Sequence, residues 1–159
     1  PMNIIKIDKF DDKNGDGARM TLFVAGCPHK CEGCFNKVSW SYLSGFECTK
    51  DVVETFFSDF SENEAFLNGI SILGGEPLAP RNFETVKEIC QSFKQQFPTK
   101  NIWVWSGYTL EQIQQSPQRV VLDYVDTLVD GKFVQSLHDP HLKFRGSSNQ
   151  RILNKGIDY

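Results

Sequence analysis

The chain has 159 residues, 40% hydrophobic and 13% aromatic with thirteen phenylalanines, a composition for one folded domain over residues 1–159 and against a disordered chain. Its net charge of −3 comes without any Lys/Arg run, which excludes the basic footprint of a nucleic-acid binder. No apolar stretch approaches the roughly 18 residues of a membrane-spanning helix, and Met2–Lys6 lacks a signal-peptide profile, so a cytoplasmic protein without membrane contact is expected.

In chain order, residues 2–7 can form an edge strand. Asp12-Lys13-Asn14-Gly15-Asp16-Gly17 matches the opening of a calcium loop, but Phe23, inside a strand, stands where the bidentate glutamate belongs, so a turn is the better reading. Met20–Ala25 reads as the first inner strand. Ile70–Leu73, Ile102–Trp105 and Thr127–Val129 read as three more. Between them, Thr49 can cap a helix through Phe60, and Asn82 one through about Phe97, with Val86, Ile89, Cys90, Phe93 and Phe97 at core-facing spacing. Thr109 starts another through about Gln115, and Ser116-Pro117 can open a short one. Trp103 and Trp105 read as strand residues, one in the core and one against a helix.

Alternating strand and helix gives an α/β fold with a mostly parallel sheet. A closed eight-unit barrel takes ~250 residues, so this length holds about five βα units. The expected architecture is a partial, open (β/α) barrel, truncated relative to a TIM barrel. Each inner strand runs into unusual residues: Gly26-Cys27, Gly74-Gly75-Glu76-Pro77, Ser106-Gly107-Tyr108 and Asp130-Gly131-Lys132. In parallel α/β architectures such strand ends converge on one rim, where active sites lie.

Three of the five cysteines, Cys27, Cys31 and Cys34, stand in a C-x3-C-x2-C loop after the first inner strand. Three thiolates on a short loop can hold a 4Fe–4S cluster and leave one iron open to a chelating ligand. A structural zinc site, with His29, Cys48 or His138 as fourth ligand, is the alternative, although zinc sites usually pair two such knuckles. Cys90, on the apolar face of its helix, reads as a core thiol, and Cys48 has no evident partner.

The cysteine loop resembles that of the radical S-adenosylmethionine superfamily, and Gly74-Gly75-Glu76-Pro77 resembles that superfamily's GGEP motif. The position before the last cysteine, often aromatic there, is Gly33 here. The resemblance implies that the open iron binds the amino and carboxylate groups of S-adenosylmethionine and reductively cleaves it to a 5′-deoxyadenosyl radical. It implies further that Glu76 offers a carboxylate to the methionine ammonium group. Asn14–Arg19, Phe23–Asn36, Trp103–Thr109, Val129–Phe133 and Arg145–Arg151 resemble most closely the family that activates the anaerobic ribonucleoside-triphosphate reductase. That implies a glycyl radical made on the reductase large subunit and an external one-electron donor such as a flavodoxin. By the same resemblance Asn36, Ser106 and the Asp130/Lys132 pair are candidates for contacting S-adenosylmethionine or a nearby cation. Activation of pyruvate formate-lyase, modification of a small molecule, and a non-catalytic zinc-binding interaction module are the alternatives. A small open barrel suits a large substrate, such as a loop of another protein.

Overall fold

The computed structural model describes residues 1–159. Its strands are β1 (Asn3–Asp11), β2 (Arg19–Val24), β3 (Phe46–Glu47), β4 (Gly69–Gly74), β5 (Asn101–Ser106), β6 (Thr127–Asp130) and β7 (Arg151–Asn154). Its α-helices are α1 (Lys50–Glu62), α2 (Phe83–Gln96) and α3 (Leu110–Gln114). All seven strands form one open sheet in the order β3-β1-β2-β4-β5-β6-β7. The pairs β2/β4, β4/β5 and β5/β6 are parallel, while β1 and β7 flank them antiparallel.

The four predicted inner strands are therefore the four parallel ones. The expectation of about five βα units spread the length evenly over the chain. Here the β2–β4 connection, residues 25–68, takes more than one unit's share, and the segment after β6 carries the antiparallel β7 in place of a further βα unit. Residues 12–17 form a turn between β1 and β2, as expected. β7 had no counterpart in the sequence reading, because Arg-Ile-Leu-Asn is too short to show a period.

Local chemistry sets the helix starts. Thr49 Oγ1 accepts from Val52 N at 3.3 Å, and Thr109 with Gln112 forms a capping box. Pro117–Asp123 is a single 3-10 helix opened by its proline. Asn82 precedes α2 but does not cap it. Its Nδ2 instead donates to Ala25 O and Glu76 O, each at 3.0 Å, joining the ends of two strands.

Strand alternation divides the sheet into two unlike faces. Met20, Leu22, Val24, Ile70, Ile72, Ile102, Val104 and Leu128 join α1 and α2 in one buried apolar cluster. Phe57, Phe60, Phe93 and Phe97 interlock there, with ring centroids between 4.7 and 6.5 Å apart. Burying each such ring contributes roughly 1.5–3 kcal/mol. Cys90 lies in this core, fully buried, as its position on α2 predicted.

The opposite face carries Arg19, Thr21, Phe23, Ser71, Leu73, Trp103, Trp105 and Val129, none of which belongs to that cluster. The two tryptophans share this face, with ring centroids 5.6 Å apart, and the ring of Phe144 packs 5.0 Å from Trp103. The expectation that one faces a helix is corrected: residues two apart on a strand point the same way.

Candidate functional site

At the carboxyl ends of β2, β4, β5 and β6 lies a cavity of about 590 Å³. Cys27, Cys31 and Cys34 line it together, with Asn36, Gly74, Gly75, Glu76, Ser106 and Lys132. Pro77 and Asp130 do not.

The cysteine loop leaves β2 through a tight weave. Gly26 N donates to Ser39 O at 2.7 Å and Cys27 N to Trp40 O at 3.2 Å. Glu76 N donates to Gly26 O at 2.7 Å, so the Gly74–Pro77 turn is stitched to the base of the loop. Gly74 has φ +129°, and a Cβ at Gly75 would stand 2.5 Å from Gly26 O, which explains why two glycines meet here. Lys30 at φ 49° and Gly33 at φ 75° turn the loop back on itself within its eight residues. Asn36 N donates to Cys34 Sγ at 3.4 Å. Burial pushes the Cys27 and Cys31 thiols up, while the Phe133 N–H and Lys132 pull Cys31 the other way.

The donor set fits a cluster held by three thiolates. Of the candidates for a fourth zinc ligand, Cys48 packs against the apolar core, His138 does not line the cavity, and His29 bonds Glu76 through Nε2. No three Cys, His, Asp or Glu side chains gather at the spacing of a single ion. A face of three sulfurs beside open space is the arrangement that leaves one iron of a cubane free.

Glu76 is not the free carboxylate that the sequence suggested. It is 1% exposed and accepts four hydrogen bonds. Oε1 takes His29 Nε2 and Gly107 N, both at 2.6 Å, and Oε2 takes Ser106 Oγ at 2.8 Å and Leu78 N at 2.9 Å. Ser106 thus spends its hydroxyl proton on Glu76.

Asp130, a candidate for contacting S-adenosylmethionine or a cation, is likewise engaged by protein groups. Its Oδ1 accepts Arg151 Nε at 3.0 Å and its Oδ2 accepts Leu110 N at 2.7 Å, with a further bond from the Arg151 fork. The carboxylate sits at the start of α3 and clamps β7. Asp130→Asn should therefore leave the dissociation constant for S-adenosylmethionine within about twofold by calorimetry. It should lower stability by about 1–2 kcal/mol, since Arg151 is half exposed. A much weaker affinity would return Asp130 to the cofactor site.

Residues 145–151 carry part of the family resemblance. They form a wall of the cavity. Gln150 Oε1 accepts Gly146 N and Ser147 N at 2.8 and 3.1 Å, and its Nε2 donates to Gly131 O at 2.9 Å. Asn149 Nδ2 donates to Lys132 O at 2.8 Å. The Gly/Ser-rich composition was the one available signal, because small residues let this segment lie close on the β6 turn. Arg145 and Phe144 line the cavity, and Trp105 Nε1 donates to Phe144 O at 2.7 Å.

Residues 13–153 match a family described as a 4Fe-4S single cluster domain. The chain is 44% identical over 151 residues to the anaerobic ribonucleoside-triphosphate reductase-activating protein of Escherichia coli, covering 95% of this chain and 97% of that one. It is 42% identical to the protein of the same name from Vibrio cholerae, with the same coverage. With that of an enterobacterial T4 phage it shares 40% identity over 151 residues, 95% of this chain and 93% of the other.

Proposed function

Because the chain belongs to the family of anaerobic ribonucleoside-triphosphate reductase-activating proteins, we propose that it generates a glycyl radical on the large subunit of that reductase. The observation that carries this reading is one cavity shared by three thiols of a single loop and by the ends of parallel strands. When bound, a 4Fe–4S cluster supplies one electron to the sulfonium of S-adenosylmethionine, giving methionine and a 5′-deoxyadenosyl radical that takes hydrogen from a glycine Cα.

The chain's residues bind and orient. Cys27, Cys31 and Cys34 hold three irons. Gly74 and Gly75 bring backbone close to the methionine end, Pro77 stiffens the turn behind them, and Glu76 keeps the turn in place. Asn36, Ser106 and Lys132 line the space left for the nucleoside and carboxylate. Residues 1–159 act as one radical S-adenosylmethionine domain. Its helices cover one sheet face only, which supports reading the sheet as the wall of a partial, open barrel. The rim at the carboxyl ends of the parallel strands, where the cavity lies, opens toward a partner's loop. The electron comes from an external donor such as a flavodoxin, and the protein works in the cytoplasm, where thiols stay reduced.

The test is anaerobic mixing with the reductase large subunit, dithionite and S-adenosylmethionine. A glycyl-radical doublet in the EPR spectrum is expected, with deuterium carried into 5′-deoxyadenosine when the reductase contains α-deuterated glycine. A doublet on pyruvate formate-lyase and none on the reductase would contradict it, and so would a colourless zinc protein that makes no radical.

A further inference from the structure

Residues 28–33 make no backbone–backbone hydrogen bond outside the cysteine loop; their side chains reach beyond it through His29, which meets Glu76, and Cys31, whose sulfur faces the Phe133 N–H. The segment between the first and last proposed iron ligands is therefore tied to the Gly74–Pro77 turn by one hydrogen bond, His29 Nε2–H to Glu76 Oε1 at 2.6 Å. His29 is nearly buried, with a side chain 6% exposed, and its ring meets Tyr108 edge-on at 4.6 Å. Glu76 takes its other three hydrogen bonds from the β5 end, through Ser106 Oγ and Gly107 N, and from Leu78 N in its own turn. One carboxylate thus joins the ends of β2, β4 and β5.

Gly107 belongs to the same construction. A Cβ there would stand 2.5 Å from the His29 ring, so the glycine makes room for the histidine. His29, Glu76 and Gly107 come from three strand ends and are used together.

We infer that His29 is a positioning residue: by donating to Glu76 it fixes the cysteine loop against the Gly74–Pro77 turn, and so sets where a bound cluster stands relative to S-adenosylmethionine. This rests on the cluster reading above. His29 acts here through its Nε2 contact with Glu76 rather than through a bond to iron.

The test uses full-length protein with its cluster assembled anaerobically, in wild-type form and as His29→Ala, His29→Gln and Gly107→Ala. Two readouts are followed: the change in the reduced-cluster EPR spectrum on adding S-adenosylmethionine, and the dissociation constant for that ligand. H29A should bind S-adenosylmethionine roughly tenfold more weakly, at the low end of the 10–100-fold typical of residues that support metal ligands. Its cluster spectrum should respond to the ligand weakly or not at all. H29Q, whose amide can still donate to Glu76, should recover most of both. G107A deletes no polar group and only crowds the ring, and it should resemble H29A.

A wild-type spectral response and affinity in H29A would overturn the proposal, as would H29Q no better than H29A. If H29A loses its fold by circular dichroism, G107A decides, and wild-type behaviour there overturns it equally. Wild-type protein without an iron–sulfur signal would overturn the reading of the site and this inference with it. A normal wild-type signal with unaffected variants would overturn this inference alone.

Discussion

Cys27→Ser, Cys31→Ser and Cys34→Ser should each abolish 5′-deoxyadenosine formation and strip the reconstituted protein of most of its iron and sulfide. Cys48→Ala and Cys90→Ala should keep both. All five thiols are free, so composition alone does not separate them; their surroundings do. Cys27, Cys31 and Cys34 line one cavity on a polar loop. Cys90 is fully buried among α2 residues, where burial pushes its thiol up to about 12, and burial pushes Cys48 up to about 11. Neither Cys48 nor Cys90 lines the cavity, so neither can share a metal with the loop. A serine at a ligating position offers a poor soft-metal donor, and no sixth cysteine stands by to replace it. Iron and sulfide counts with visible absorption check all five variants. Loss of the chromophore in C48A or C90A, or its survival in C31S, would contradict the assignment.

Arg19→Met should produce the largest loss of stability. Arg19 is fully buried at the start of β2, at the far end of the same face as the cavity, and it forms no salt bridge. Its charge is solvated by fixed oxygens instead. Nε donates to Ser71 Oγ at 2.7 Å, Nη1 to Asp16 O at 2.9 Å, and Nη2 to Ile70 O at 2.8 Å. Its guanidinium lies 5.7 Å from the Trp103 ring centroid. Burial pulls the group down only to about 10, so it remains charged at neutral pH.

A buried ion pair can sometimes be exchanged for apolar side chains at no cost, because both partners can be removed. Here the partners are mostly backbone carbonyls that no substitution removes, and each unsatisfied group costs about 1–3 kcal/mol. The expected loss in R19M is roughly 3–5 kcal/mol, a fall in Tm of about 6–20 °C for a domain of this size. R19K should recover part of it, since an ammonium can reach some of these oxygens without the fork geometry. Thermal denaturation of the three proteins checks this, and an R19M as stable as wild type would sink it.

What the sequence made legible follows from how local each signal is. The inner strands were readable because runs such as Ile70–Leu73 are apolar and bounded by glycine, and α1 and α3 because Thr49 and Thr109 cap within their own first turns. The cysteine loop was readable because its three ligand candidates fall within eight residues. Interactions of long span were not. His29 and Glu76 are 47 positions apart, and Arg151 and Asp130 are 21 apart, so nothing in either neighbourhood announces the pairing. Asn82 misled for a physical reason: a short polar side chain at a strand or helix end has several good partners, and tertiary geometry chooses among them. β7 was missed because its pairing with β6 is secured by the Arg151 clamp on Asp130 rather than by a hydrophobic period of its own.

The most direct test is product analysis of the anaerobically reconstituted protein after dithionite reduction with S-adenosylmethionine, without any partner. The account predicts methionine and 5′-deoxyadenosine in equal amounts from wild type and neither from C27S. A fully loaded, reducible 4Fe–4S protein that leaves S-adenosylmethionine intact would contradict it.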